Sequence, residues 1–178
     1  MYRSAPAGRR VLSRAATTAA ALLALVSMSG CYSFSGGGLP PHIDNIYVLP
    51  VENRTAQFGL TEPFTRMLTD AVRGRLGVQI ASQENADAEI RAELVRYDDV
   101  ATNFSGVEDV GAQVFQRRVT ISARVEIVDL TRNAIVWSGA GVSGTGEYAP
   151  DSETEEIGRN LALENLIQQI IDGAQSQW

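Results

Sequence analysis

Hydrophobic positions along this chain change their spacing several times, and each change marks an element. Ile43-Asp44-Asn45-Ile46-Tyr47-Val48-Leu49-Pro50-Val51 is rich in β-branched and aromatic residues and reads as a strand. Pro50 donates no ladder hydrogen bond, so it marks the strand's end or an edge. Asn53-Arg54-Thr55 follows as a polar turn. Leu60, Phe64, Met67, Leu68, Ala71, Val72 and Leu76 then recur at helical spacing and form one apolar stripe. Thr61 is the expected N-cap, Glu62 suits the positive end of the dipole, and Pro63 fits the first turn. Gly77 is the expected C-terminal stop. Val78 to Ala81 adds a short strand before the polar turn Ser82-Gln83-Glu84-Asn85.

From Ala86 the period switches to two. Ile90, Ala92 and Leu94 alternate with Glu89, Arg91 and Glu93, a strand with one wet face. Residues 99–113 hold Asn103, Gly106, Glu108, Asp109 and Gly111 and read as a mobile hairpin loop. Beyond it Val119, Ile121, Ala123, Val125 and Ile127 face one way, while Arg118, Thr120, Ser122, Arg124 and Glu126 face the other. Asp129 to Asn133 turns the chain into an antiparallel partner, Ala134 to Gly139, and Gly139 to Tyr148 continues as an irregular edge strand. Ser152 and Glu155 fit a capping box, with Asp151, Glu153 and Glu156 adding negative charge at a helix N-terminus. Leu163, Leu166, Ile167, Ile170, Ile171 and Ala174 supply that helix's buried stripe. Elements with one apolar face each pack as an α+β two-layer sandwich. The expected form is two helices on one face of a mixed sheet of about four strands.

The N-terminus follows a different rule. Residues 1–14 carry Arg3, Arg9, Arg10 and Arg14 and no acid, and residues 15–29 are uncharged and too short to span a bilayer comfortably. A basic head, an apolar segment and small residues at its end describe a secretory signal peptide over 1–30. Met28-Ser29-Gly30-Cys31 resembles the bacterial lipobox, in which cleavage precedes a cysteine that takes a diacylglycerol on its thiol and an acyl chain, such as palmitate, on its amine. Cys31 is the only cysteine, so no intrachain disulfide or cysteine zinc cluster is expected. Tyr32, in place of an aspartate, resembles the pattern of outer-membrane sorting. Residues 31–41 are then a lipidated tether, slack at its glycines and stiff at Pro40-Pro41. A single domain occupies 42–178, a size that buries roughly two-thirds of its unfolded surface.

Charge and composition narrow the function. Every basic residue is arginine, four of the 15 lie before the cleavage point, and all 21 acids follow it. Such an acidic domain lacks the basic stripe of a nucleic-acid binder. His42 is the only histidine and sits beside the prolines at the domain's entrance, a poor place for a catalytic base. Asp98-Asp99 and Glu108-Asp109 read as solvated turn residues rather than calcium ligands. No catalytic site, metal or dissociable cofactor is expected; the covalent lipid on Cys31 is the one attached group. Binding features remain. Arg117, Arg118 and Arg124 form either a basic patch suited to phosphate or cross-strand partners of Glu126, Glu93 and Glu89. The 99–113 loop, with Phe104 and Val107, is a candidate for docking a protein partner.

Gly30-Cys31-Tyr32-Ser33-Phe34-Ser35-Gly36, Leu39-Pro40-Pro41-His42-Ile43 and Ile46 to Thr55, ending in Glu52-Asn53-Arg54-Thr55, together resemble the LptE family of lipopolysaccharide-assembly lipoproteins. Members commonly read Cys-Gly-Tyr-x-Phe, then Leu-Pro-x-His-Ile, then a strand ending in Glu-Asn-Arg-Thr; the glycine after the cysteine is absent here. The resemblance implies a lipid-anchored protein on the periplasmic side of the outer membrane. It also implies a role in folding and plugging the LptD β-barrel and in passing lipopolysaccharide to the cell surface. The competing reading is a lipoprotein activator or scaffold of other envelope machinery, such as a penicillin-binding-protein activator or a CsgG-like protein.

Overall fold

The computed structural model describes residues 38–107 and 111–176. Its elements in chain order are β1 (Asn45–Val48), β2 (Glu52–Asn53), α1 (Thr61–Arg75), β3 (Gln79–Ile80), a single 3-10 turn (Gln83–Asn85), β4 (Ala88–Val107), β5 (Gly111–Asp129), β6 (Ala134–Tyr148) and α2 (Glu155–Gln175). The sheet runs β3-β1-β4-β5-β6, with β2 pairing β4 beyond the end of β1. β1 is parallel to β3 and β4, whereas β4, β5 and β6 are antiparallel, so the sheet is mixed as expected.

Six strands form rather than about four, and proline accounts for part of the difference. Leu49 N–H still reaches Ile90 O at 3.0 Å, but Pro50 has no amide to offer, so pairing lapses and resumes at Glu52. The strand read over 43–51 is thus split into β1 and β2. The short strand expected over Val78 to Ala81 forms as the two-residue β3, which α1 returns alongside β1.

The largest departure lies at 99–113. This segment is not a loop: β4 and β5 stay paired out to Val107 opposite Gly111. Asn103 lies at register shifts between Ala101 and Phe104, while Gly106 and Gly111 take ordinary ladder positions opposite Ala112 and Val107. β6 stops pairing at Tyr148 opposite Arg117, so the two strands run on as a bare ribbon, on the order of 20 Å at strand rise. Phe104 and Val107 therefore belong to a strand by backbone, while their side chains, like Glu108 and Asp109, lie outside the described residues.

Alternation on the sheet follows the sequence pattern. Ala88, Ile90, Ala92 and Leu94 of β4 and Val119, Ile121, Ala123, Val125 and Ile127 of β5 are buried. They share one core with Ile46, with Phe64, Leu68 and Val72 of α1, and with the Leu163 to Ala174 stripe of α2. Each such large aliphatic or aromatic side chain contributes about 1.5–3 kcal/mol. Both helices cover the same side, leaving the other side of the sheet to Arg91, Glu93, Arg124 and Glu126.

Helix ends differ from expectation in detail. Leu60, fully buried and already helical at φ −79°, ψ −30°, caps α1, and Thr61 becomes its first residue. Gly77 follows the C-cap with φ +71°, the left-handed stop expected of it. For α2 the cap is Thr154, not Ser152. The capping box of Ser152 and Glu155 does not form, and both Glu155 and its neighbour Glu153 are engaged elsewhere. Glu153 accepts the Ala149 amide at 2.7 Å, and Glu155 accepts the Tyr97 hydroxyl. α2 lies so close to β6 that Gly144 and Gly146 face its backbone directly. A methyl group on Gly144 would sit 2.8 Å from Leu166 Cα, and one on Gly146 would sit 2.6 Å from Ala162 N.

Candidate functional site

The open side of the sheet concentrates charge because Glu89, Arg91 and Glu93 of β4 and Arg118, Arg124 and Glu126 of β5 point away from the helices. Arg124 Nη1 lies 2.7 Å from Glu93 Oε2, and Arg54 approaches the other oxygen of the same carboxylate. Arg91 Nε donates to the buried Glu89 at 2.6 Å. Between Leu49, Pro50, Arg54, Arg91 and Arg124 the surface dips into a cavity of about 260 Å³. Toward the ribbon Arg118 Nε donates to Glu147 at 2.9 Å, and Gln116 holds the second oxygen of that carboxylate at 2.6 Å.

Arg54 reaches this face through the Glu52-Asn53-Arg54-Thr55 segment. Asn53 Oδ1 accepts the Thr55 amide at 3.0 Å and the Thr55 hydroxyl at 2.7 Å, while its Nδ2 donates to Gln57 O at 2.8 Å. Asparagine and threonine thus build the turn. Pairing of Glu52 with Glu93 then sets the flanking Arg54 over β4. The sequence flagged Arg117, Arg118 and Arg124 and missed Arg54 and Arg91; the signal for Arg54 was this turn beside a strand of alternating charge.

The three flagged arginines do not make one patch. Arg118 and Arg124 share the open side, but pleating turns Arg117 to the helix side. There Arg117 Nε sits 3.1 and 3.2 Å from the two Asp99 oxygens, and its Nη2 donates to Asp99 O at 3.1 Å. Tyr148 OH donates to the same carboxylate at 2.9 Å. Asp99 is therefore half-buried and triply engaged rather than a solvated turn residue. Hydrogen bonding to Asp99 pushes the Arg117 guanidinium up from its ordinary value. Burial, then the Asp99 bond, pushes the Tyr148 hydroxyl up. Burial and the bond to Glu155 do the same to Tyr97. Of the expected cross-strand partners, Glu93 pairs with Arg124 as read.

His42 closes a different contact. Its Nε2 lies 2.6 Å from Oδ2 of Asp129, a buried carboxylate. Oδ1 accepts the Thr131 amide at 2.8 Å, the Thr131 hydroxyl at 2.6 Å and the Arg132 amide at 2.9 Å. Burial pushes the Asp129 carboxyl up, but the hydrogen bonds from Thr131, His42 and the Arg132 amide outweigh it and hold the group well below the usual carboxylate range. A hydrolytic triad places imidazole between carboxylate and hydroxyl. Here the carboxylate stands between them, so the cluster ties the start of the domain to the β5–β6 turn. Among the described residues, no group of three His, Cys, Asp or Glu side chains converges as metal ligands, and no helix is long and apolar enough to cross a membrane. Cys31 lies outside the described residues.

Two helices on one side of a mixed sheet form an α+β class that recurs in solved proteins of low identity. The hypothetical protein CT253 from Chlamydia trachomatis matches at TM-score 0.55 and 12% identity, over 76% of this chain and 97% of that one. The uncharacterized lipoprotein B from Nitrosomonas europaea matches at TM-score 0.51 and 15% identity, over 79% and 86%. No curated protein sequence matches significantly. The family model described as LptE, lipopolysaccharide-assembly, matches residues 43–173, from two residues before β1 into the last turn of α2. The chain belongs to the LptE family.

Proposed function

We propose that this chain is an outer-membrane lipoprotein that assists assembly of, and plugs, an LptD-type β-barrel and helps deliver lipopolysaccharide to the cell surface. Family membership across the domain carries this reading. In it, residues 1–30 are removed and the lipid on Cys31 anchors the protein on the periplasmic side. The tether at 33–41 spans on the order of 30 Å at full stretch. The open side of the sheet suits a barrel lumen, which is polar and wet, because its Arg–Glu pairs are at home in water. Exposed ion pairs of this kind are worth only about 0–1 kcal/mol, so a phosphate can take an arginine from its glutamate. Arg118 and Arg124 are accordingly the proposed lipopolysaccharide contacts. Arg117 faces the other way, and contact there requires its release from Asp99. The end of the β4–β5 ribbon, with Phe104 and Val107, is the proposed partner-docking segment.

Purification of the tagged full-length protein from outer membranes tests this. A large β-barrel is expected to co-purify, and the Arg118→Ala, Arg124→Ala double variant is expected to keep the barrel while crosslinking lipopolysaccharide about tenfold less. Recovery alone, or with a cell-wall synthase, contradicts the proposal.

A further inference from the structure

The outer edge of β6 is an unpaired strand edge built to accept another strand. Among the described residues β6 pairs only with β5. Asn165 Nδ2 donates to Thr145 O at 2.7 Å, so that carbonyl points away from β5. In an antiparallel pair the N–H and C=O of one residue point the same way, and residues two apart repeat the direction. Register is unbroken from Ala123 opposite Val142 to Arg117 opposite Tyr148. Ser143, Thr145 and Glu147 therefore all present their backbone groups outward, with one carbonyl already satisfied by Asn165. Natural edges are commonly blunted by lysine, proline or an inward-pointing charge; β6 contains no lysine and no proline.

A helix borders this edge. Leu161 Cβ lies beside Gly146, and Ile157, Leu161 and Asn165 follow one another at i, i+4 and i+8 on α2. Ile157 and Leu161 are 43% and 41% exposed, large apolar side chains left in water next to unpaired backbone. Charge indicates what would cover them. β6 and α2 carry Glu147, Glu155, Glu156, Glu164 and Asp172 against one arginine, Arg159, which already approaches Glu155 at 3.9 Å. A second copy would bring like charges together.

We propose that the β6 edge binds an extended segment of another protein by strand addition, the segment carrying arginine or lysine between apolar residues. Its backbone pairs with Ser143, Thr145 and Glu147, its apolar side chains pack on Leu161 and Ile157, and its cations face the acids of β6 and α2. This edge meets the open side of the sheet at Glu147, the partner of Arg118, but its outward backbone and the Ile157–Leu161 wall lie apart from that side, and the proposal does not depend on the function proposed above.

The test uses the full-length chain in detergent with a synthetic peptide of alternating arginine and valine, and a glutamate–valine peptide as control. The arginine peptide is expected to bind and to slow amide exchange at Ser143 and Glu147, and the control to bind at least about tenfold more weakly. Thr145→Pro removes an outward amide, and Leu161→Ser removes the apolar wall at an exposed position without adding charge. Each is expected to weaken binding about tenfold, with folding checked by circular dichroism. No binding, equal binding of both peptides, affinity unchanged by Leu161→Ser, or protection of the same amides by self-association overturns the proposal.

Discussion

At the scale of single residues, Asp129 does what the sequence assigned to no residue. Four hydrogen-bond donors, on His42, Thr131 and Arg132, converge on one buried carboxylate, and their pull holds its ionisation well below the usual range. A carboxyl depressed in the folded state contributes stability that is complete above its unfolded value, about 3.9, and is lost as pH falls toward the folded one. Asp129→Asn is therefore expected to destabilise the domain at pH 7 and to differ less from the wild type at pH 3. Urea unfolding at the two pH values measures this, and a constant gap contradicts it. His42 stood out in the sequence as the sole histidine, but its partner lies 87 residues away and no local pattern pointed there. Separations of 18 and 49 residues likewise hid the partners of Asp99. Its neighbours suggested a turn, whereas Arg117 and Tyr148 reach it only once three strands are laid side by side.

At the scale of elements, close approach of α2 to β6 rests on glycine. Gly144→Ala or Gly146→Ala forces a methyl group into the α2 backbone and is expected to cost about 1–3 kcal/mol or more. Gly141, on the same strand with nothing within 4 Å, is expected to accept alanine with little change. Thermal unfolding of the three variants decides this, and equal midpoints contradict it. The helical stripes and the alternation of β5 were legible because burial on one side imposes a period that no other residue pattern mimics. Pieces without a period were not. Pro50 broke a run that otherwise reads as continuous, and the two-residue β2 beyond it carries too few positions to alternate. The ribbon was hidden for another reason: Asn103 with Gly106 reads as a turn, yet the backbone stays paired through both. The α2 cap position failed because Glu155 meets Tyr97, 58 residues away, while Glu153 turns back to the Ala149 amide.

At the scale of the whole molecule, two sides of one sheet carry different tasks. The helix-covered side supplies the core, and the open side displays arginines held by weak, exchangeable glutamate pairs. The chain belongs to the LptE family, and in the role proposed above this display is the surface that meets lipopolysaccharide, with the β4–β5 ribbon reaching beyond it. Depleting the protein from growing cells and measuring lipopolysaccharide exposed at the cell surface tests the proposed role most directly. Surface lipopolysaccharide is expected to fall while the molecule accumulates on the periplasmic side, with peptidoglycan crosslinking unchanged. Normal surface lipopolysaccharide together with altered crosslinking would contradict the role and favour a scaffold of cell-wall synthesis.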